Sequence, residues 1–460
     1  MLQTASQDPG YQALGWRGWL DRPWLFVAGT FLYALLTAYA YTDLVALDPY
    51  FKATGFYAQY PLFGTVPVAF TVAMVPLLWV PRKFVRASDF CVLYLYYFVF
   101  IPSCVLLPYV SRLEAGGQFS NLSILLLAFG ALEFRRLLRP FALPTLPAKR
   151  EPVFAFGTAG LAAAGMLYLL MTESVSFSNL SLFDVYEQRA RFLSDFSTTR
   201  AIVGYISNWT ATALAPILLV YGFHSKRYLF SGLGLLAALF AFSATSFKSH
   251  FFVPLTVIGM YFAFRAAGKQ LLGLTVLGFG LALLIVSMGW DLSVGTTPVL
   301  TWNLQFRFIG NNGFLTAQYF NFFENMPKGF YADTFGRILF EPPYNVPIAQ
   351  VVGEYFSPIR GNHANANLWA DGYGNLGIVG VALSSIEAVL FLWLVDSVTR
   401  NRDWHVVSAV LMSVTFALAN TAVHSMLTSN GGALLIVLLA AMPLHHAVRS
   451  RRLQLLPSQR

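Results

Sequence analysis

Long apolar segments, set close together along the chain, are the feature that most constrains the fold. A helix needs about 20 apolar residues to cross a hydrocarbon core of about 30 Å, and it satisfies its own backbone hydrogen bonds while doing so. Only 11% of the residues are charged, against roughly 25% in soluble domains. We therefore predict an all-α, polytopic transmembrane helical bundle. Twelve segments are apolar: residues 25–46, 62–80, 90–110, 120–134, 153–171, 201–222, 229–246, 251–264, 271–289, 376–396, 405–427 and 432–447.

Two of these segments, residues 120–134 and 251–264, are short enough to be re-entrant or tilted, so we expect ten to twelve crossing helices. Cytoplasmic loops hold an excess of Lys and Arg. With both termini in the cytoplasm, twenty of the thirty Lys and Arg residues fall on that side. This orientation makes residues 290–375 a large extracytoplasmic loop.

The chain is thereby divided into three parts. Residues 1–289 hold nine helices with a smaller outer loop at 173–200, residues 290–375 form the large outer loop, and residues 376–460 hold the last helices and a basic cytoplasmic tail that anchors at the membrane surface. We expect no removable leader at the amino terminus, because a charged, apolar and cleavable sequence is not seen there.

Several classes of function lose support from the sequence. The net charge of +9 comes from short basic clusters between apolar segments, so nucleic acid is not the expected partner. Cys91 and Cys104 are separated by about 20 Å on one helix and cannot pair. Zinc spacings, calcium loops, phosphate-binding glycine loops and the Gly-x-Ser-x-Gly elbow are not found. No metal or other cofactor is expected.

Ten cations remain on the outer side in this topology, and seven of them are arginine. The planar guanidinium suits bidentate contact with phosphate or carboxylate. Arg189 and Arg191 lie on a predicted amphipathic helix in the smaller outer loop. Arg200 opens the next apolar segment, and Lys248 lies in a sharp turn between two others. The alternative for each is a solvated or snorkelling side chain at the membrane boundary.

The large outer loop mixes aromatic, amide and carboxylate side chains. Proteins bind sugars with such a mixture, stacking rings on apolar sugar faces and hydrogen-bonding the hydroxyls, although ordinary loops share the composition. Near its end the loop reads GNHANANLWADGYG over residues 361–374. If the chain is helical from Asn362 to Gly372, then His363, Asn367 and Asp371 share one face. An imidazole there accepts a proton near neutral pH, and the alternative is a structural histidine.

The chain resembles the membrane glycan polymerases and ligases of bacterial surface polysaccharide assembly, the O-antigen polymerase and O-antigen ligase superfamily. The resemblance covers the whole chain in architecture, with ten to twelve apolar segments, a medium outer loop and then one large outer loop before the last helices. Two short motifs match as well. His363 and Gly374 have the ligase-type spacing of His, ten residues, Gly, and Arg189 and Leu193 have the spacing of Arg, three residues, Leu.

The resemblance implies a metal-independent glycosyltransferase of the GT-C type, acting on undecaprenyl-diphosphate-linked sugars at the outer face of the bacterial inner membrane. The partners it implies are the lipid-linked oligosaccharide, membrane lipids and a chain-length regulator protein. It assigns the acceptor base to His363, with Glu354 as the second choice. The residues that it implies for the diphosphate are Arg189, Arg191, Arg200 and Arg307, supported by Lys248 and Arg360, and those for sugar are Asn367, Trp369, Asp371 and Tyr344.

Three functions remain open from the sequence. A polymerase, which we favour, uses a second lipid-linked repeat as acceptor, whereas a ligase uses lipid A core. The His-to-Gly spacing favours the ligase. A transporter or flippase of lipid-linked oligosaccharide belongs to a different class and usually has broken helices with polar groups in mid-membrane. Glu387 is the clearest charge inside an apolar segment, and the outer polar groups outnumber it.

Overall fold

The computed structural model describes residues 22–141, 151–175, 197–295 and 297–443. Within these ranges the chain is helical without a strand, and nine helices are long and apolar enough to cross a membrane. The predicted all-α polytopic bundle is confirmed. The principal helices are α1 (Pro23–Val45), α2 (Thr65–Leu78), α3 (Ala87–Val110), α4 (Ala115–Arg136), α5 (Glu151–Met171), α6 (Thr198–Ser225), α7 (Tyr228–Thr245), α8 (Lys248–Ala267), α9 (Lys269–Val294), α10 (Thr301–Gly310 continuing as Asn311–Asn325), α11 (Ile348–Phe356), α12 (Leu368–Thr399), α13 (Trp404–Leu418), α14 (Val423–Thr428) and α15 (Gly432–Ala441).

The predicted short segments are not the ones that are short in the structure. Helices α4 and α8 have 22 and 20 residues, because polar residues at their ends, such as Gln118 and Lys248, belong to the helix. The shorter apolar helices are α2, α13 and α15. The predicted apolar segment 405–427 is interrupted between α13 and α14. The amphipathic helix predicted around Arg189 lies largely outside the described residues, as does the basic tail.

Helix α3 is the centre of the bundle. Its most apolar stretch is completely buried, so other helices surround it on all sides. Two polar groups of α1 hydrogen-bond to it: Tyr33 donates to the carbonyl oxygen of Tyr97 at 2.7 Å, and the hydroxyls of Thr30 and Tyr97 are 2.9 Å apart. Such hydrogen bonds add to close packing in holding helices together within a membrane, where lipid supplies little hydrophobic drive.

A buried charged network closes one end of the bundle. The guanidinium of Arg135, which has no exposed surface, donates to Asp89 at 2.9 Å and to the hydroxyl of Ser88 at 2.6 Å. The backbone N–H of Ser88 donates to Asp396 at 2.8 Å. These contacts join α3, α4 and α12. We call this the Arg135 end and the opposite one, where α3 finishes at Val110, the loop end.

The segment predicted as a large outer loop is packed into the bundle over much of its length. Helix α10 runs alongside the second half of α3 and in the same direction. The Asn312 amide donates to the carbonyl oxygen of Phe98 at 2.7 Å, and the Asn321 amide donates to that of Val110 at 3.2 Å. Most of α10 beyond Gly310 is buried. Its phenylalanines supply an apolar face. The amides between them lower the averaged hydropathy, so the segment does not look like a membrane helix in the sequence.

Helix α12 begins with a half-helix that folds back on the rest. Trp369 Nε1 donates to Ser385 Oγ at 3.2 Å across sixteen residues, which a straight helix would separate by about 24 Å. The backbone leaves helical geometry at Leu376 and at Gly377, whose φ is +62°. Residues 368–375 therefore form a re-entrant arm against residues 378–399, and the two meet so closely that a Cβ at Gly380 would overlap the Gly372 carbonyl oxygen.

Residues 362–367 carry the chain down to this arm. Asn367, which is fully buried, donates to Thr316 Oγ1 at 2.7 Å, and Thr316 lies 3.0 Å from Ser103 of α3. Ser103 precedes Val110 by seven residues, so the arm starts about 10 Å below the loop end of α3. A polar piece of the large loop thus enters the helical core.

Candidate functional site

Two predicted cations come together on the first turns of α10. Lys248, the first residue of α8, donates from Nζ to the Asn303 amide oxygen at 2.8 Å. The Arg307 guanidinium lies 4.7 Å from the ring centroid of Trp302. Asn303 and Arg307 are one turn apart and share a face. An amide and an aromatic ring therefore fix two positive groups on one strip, which we call the cationic strip.

The other predicted cations are dispersed. Arg200 lies in the first turn of α6, where Ser197 Oγ accepts a hydrogen bond from the Arg200 N–H at 3.2 Å. Arg360 lies in the exposed turn after α11. Arg189 and Arg191 lie outside the described residues. The prediction of a clamp built by two outer loops is therefore untested for its smaller loop.

His363, Asn367 and Asp371 do not share a helix face, so that part of the prediction is wrong. Residues 362–367 are not helical, and the helix starts at Leu368. Asn367 caps it, accepting from the N–H groups of Trp369 and Ala370 at 3.1 and 3.2 Å. An asparagine in that position satisfies N–H donors that a helix leaves open, which is why the helix starts there and not at Asn362.

Glu354 is a poor proton acceptor in this setting. Its exposed carboxylate accepts from the Gln350 amide at 2.9 Å and from the Gly361 N–H at 2.6 Å. These two hydrogen bonds, with a smaller effect from His363 and Arg360, lower the pKa of Glu354 below its ordinary value. A lower pKa makes the carboxylate a weaker base, so His363 is the stronger candidate of the two.

The four residues predicted for sugar have different exposure. Asn367 and Trp369 have no exposed surface, so both hold the arm and neither presents an atom to a ligand. Tyr344 is half-buried and donates to the carbonyl oxygen of Pro327 at 2.7 Å. Asp371 is half-buried on the arm, where the Asn375 amide donates to its carboxylate at 3.3 Å. Tyr344 and Asp371 remain candidates for ligand contact.

Asp371 borders a group of residues that the sequence did not bring together. Glu387 of α12 and His424 of α14 form a pair, with Oε2 and Nδ1 3.7 Å apart. The His424 ring meets the rings of Tyr331 and Phe335 edge-on, with centroids 5.3 and 5.0 Å away. We call Asp371, Glu387, His424 and Tyr331 the acid–imidazole cluster.

A strained turn holds Tyr331 in this cluster. The N–H of Phe330 donates to the carbonyl oxygen of Asn375 at 3.0 Å, and that of Tyr331 donates to the Asn375 side chain at 2.8 Å. Phe330 and Tyr331 both have a φ of +54°, a left-handed conformation that costs non-glycine residues about 1 kcal/mol or more. Burial first, and then the Asp371 carboxylate, raise the pKa of Tyr331 well above its ordinary value. Its phenol therefore remains protonated as a donor.

Residues 419–431, between α13 and α15, contact both the acid–imidazole cluster and helix α6. His424 belongs to this segment. On the other side, Trp209 Nε1 donates to the carbonyl oxygen of Thr428 at 2.8 Å, and Phe308 of α10 packs against Phe416 with ring centroids 5.1 Å apart. The segment thus borders the cluster, and α13, which precedes it, packs against α10 next to Arg307.

Sequence reasoning missed the cluster although two of its members were visible. Glu387 was noticeable as a charge in an apolar segment, and His424 lies in a polar run that includes Asn420, Ser425 and Asn430. Most of this run falls within the apolar segment predicted at residues 405–427, where it is read as part of a helix. Reading it as a helix break would have predicted a polar pocket near Glu387.

A metal centre finds no support in the part of the chain that the structure describes, where no three His, Cys, Asp or Glu residues are grouped closely enough to hold an ion. Comparisons with protein families, with curated proteins and with solved structures found no match to this chain.

Proposed function

We propose that the protein is a membrane glycosyltransferase that polymerises lipid-linked oligosaccharide repeat units of a bacterial surface polysaccharide. It acts at the periplasmic face of the inner membrane and transfers a glycan from undecaprenyl diphosphate to an acceptor sugar hydroxyl. The observation that carries the proposal is the cationic strip at the start of α10. About one to three turns further along the same helix, Asn312 and Thr316 accept hydrogen bonds from Asn367, which caps the re-entrant arm. A lipid-linked substrate carries its diphosphate directly beside its first sugar, so cations and a carboxylate on neighbouring elements suit these two groups.

The cations account for departure of the diphosphate. Negative charge develops on the leaving oxygen as the bond to the sugar breaks, and positive groups that are already in place stabilise it without reorganisation. Trp302 holds the Arg307 guanidinium and Asn303 holds the Lys248 ammonium. Arg200 and Arg360, with Arg189 and Arg191 from the smaller loop, are the further candidates for phosphate contact.

The acceptor side uses the end of the large loop. His363 is the candidate base for the acceptor hydroxyl, and Tyr344 and Asp371 are candidates for sugar contact. The acceptor is a second lipid-linked repeat in the polymerase and lipid A core in the ligase alternative. A chain-length regulator is the candidate protein partner.

Purified protein incubated with lipid-linked repeat units, with and without lipid A core, tests the proposal. A ladder of products on the lipid carrier supports the polymerase. Transfer to the core in place of the ladder supports the ligase. Absence of both products contradicts a glycosyltransferase of either kind.

One observation favours a transporter as the second candidate. The re-entrant arm is a broken helix that begins inside the bundle, and the Glu387–His424 pair lies on the membrane-crossing part of α12. Transporters often bind substrate with such half-helices and intramembrane polar groups. Movement of lipid-linked oligosaccharide across protein-containing vesicles, without any new glycosidic bond, is the result expected of this alternative.

A further inference from the structure

The Glu387–His424 pair has the arrangement of an oriented imidazole base. Nδ1 of His424 faces the Glu387 carboxylate at 3.7 Å. A carboxylate on one ring nitrogen holds the proton there, so the other nitrogen, Nε2, is left as the acceptor. The spacing is wider than a hydrogen bond, and catalytic hydrogen bonds in unliganded enzymes are often long and shorten when substrate binds.

The surroundings of the pair limit the motion of the imidazole without covering it. Tyr331 and Phe335 stack on each other with ring centroids 5.1 Å apart, and both meet the His424 ring edge-on. The side chains of His424 and Glu387 keep 24% and 39% of their surface exposed. A ligand therefore has access to the imidazole.

The pair also lies close to the start of the re-entrant arm. Glu387 is two residues beyond Ser385, the partner of Trp369 at the start of the re-entrant arm, so it is about 3 Å further along α12. Asp371, on the same arm, is a further acidic group near the imidazole, and Asp333, in the turn after Tyr331, lies near Asp371. A hydroxyl brought beside the arm comes next to the imidazole of His424.

We infer that His424, oriented by Glu387, takes the place of His363 as the base that accepts the proton of the acceptor hydroxyl. The inference rests on the proposed function. The acceptor oxygen forms a bond to the anomeric carbon, and the bond from that carbon to the diphosphate oxygen breaks. The electron pair of the broken bond leaves on the undecaprenyl diphosphate. The hydroxyl proton passes to Nε2 of His424 and from there to solution.

Kinetics on purified protein with lipid-linked repeats give the first test. His424→Gln is expected to lower kcat by about 10²- to 10⁴-fold, the usual contribution of a general base, with little change in KM. Glu387→Gln, which keeps the shape and removes the charge, is expected to lower kcat by about tenfold or more. His405 is the matched control, because its Nδ1 pairs with Asp403 at 3.0 Å at the start of α13. His405→Gln should retain activity.

Nitrogen-15 spectra of histidine-labelled protein test the pairing without an activity assay. The His424 signal is identified by its loss in His424→Gln. The unchanged protein is expected to show the tautomer with the proton on Nδ1, and Glu387→Gln is expected to shift His424 toward the other tautomer. A tautomer that is the same in both proteins would show that Glu387 does not orient the ring, and would overturn the inference.

The two tests separate this inference from the proposed function. If the unchanged protein makes the ladder and His424→Gln retains kcat within about threefold, His424 is not the base, and polymerisation stands. If the unchanged protein makes no glycan product, the proposed function is wrong and His424 has no acceptor hydroxyl to deprotonate. The spectra then still decide whether the carboxylate and the imidazole are paired.

Discussion

Arg307 and Arg112 occupy closely similar positions over aromatic rings. Each guanidinium lies 4.7 Å from a ring centroid, Trp302 for Arg307 and Tyr57 for Arg112. Only Arg307 stands on the cationic strip beside Lys248. Replacing either by lysine keeps the charge and removes the planar fork that contacts phosphate through two hydrogen bonds.

Arg307→Lys is therefore expected to lower glycan transfer about tenfold, the effect of losing about 1.4 kcal/mol of transition-state stabilisation. Arg112→Lys, the same change at the same ring distance, is expected to retain activity. The measurement is the initial rate of ladder formation by equal amounts of folded protein. Equal losses in both variants would contradict a specific part for the cationic strip.

Glu354 gives a pH dependence at the residue scale. Its pKa is lower in the folded protein than in an unfolded chain, because Gln350 and Gly361 donate to the carboxylate. The ionised Glu354 carboxylate therefore stabilises the folded protein above the ordinary carboxyl pKa. This stabilisation is lost as the pH falls through the lower pKa of the folded state. As the pH falls through that range, amide hydrogen exchange across residues 358–363 should become faster in the unchanged protein than in Glu354→Gln. The variant has no carboxylate to protonate, so it should lack this increase. Identical pH profiles of hydrogen exchange in the two proteins would contradict this pH dependence.

At the scale of elements, the re-entrant arm depends on close contact between two glycines. A Cβ at Gly380 would overlap the carbonyl oxygen of Gly372, whereas a Cβ at Gly278, in α9, meets no atom within 4 Å. Gly380→Ala is expected to destabilise the protein by about 1–3 kcal/mol, as overpacking does. Gly278→Ala should be neutral or slightly stabilising, because alanine favours helix. Thermal unfolding in detergent measures both, and equal midpoints would argue against the arm.

The position of α12 could be predicted from the sequence, but the fold-back of its re-entrant arm could not. Helix positions were predictable because lipid demands long apolar segments, and residues 376–396 agree well with the crossing part of α12. The fold-back was not predictable. The same residues would suit a straight helix, and only Gly377, with its left-handed φ, and the partners of Asn367 show otherwise. Those partners are distant in sequence, on α10.

The candidate site was predictable in its chemistry more than in its location. Lys248 and Arg307 were both expected to reach substrate, and the structure brings their partners, Asn303 and Trp302, onto one helix. His424 was not expected, because a polar break between two apolar helices looks like a continuous helix when hydropathy is averaged. Contacts between α12, α14 and residues 329–335 are set by tertiary packing, which no local pattern records.

At the scale of the whole molecule, the two ends of the bundle are chemically distinct. The Arg135 end holds a buried ion pair, and the loop end presents exposed aromatic residues such as Tyr60 and Phe63. The excess of Lys and Arg in the loops of the Arg135 end predicts that this end faces the cytoplasm.

Single cysteines test this orientation, since Cys91 and Cys104 are fully buried and should not react. Tyr60→Cys, at a position that is 99% exposed, should be labelled by a membrane-impermeant maleimide in cells with a permeable outer membrane. Arg400→Cys, at an exposed position beyond α12, should be labelled only after the inner membrane is opened. The reverse labelling pattern would invert the topology and contradict the proposed location of the site at the periplasmic face.

The re-entrant arm has a consequence for how the chain is assembled in the membrane. Residues 362–375 carry several amides and a carboxylate, and the side-chain N–H of Asn367 donates to α10, which in turn lies along α3. Buried polar groups without partners are costly in lipid, so this stretch has no stable place until those helices have associated. We therefore expect the crossing helices to insert first and the arm to enter afterwards, which would make maturation of the site a late event in biogenesis, separate from membrane integration.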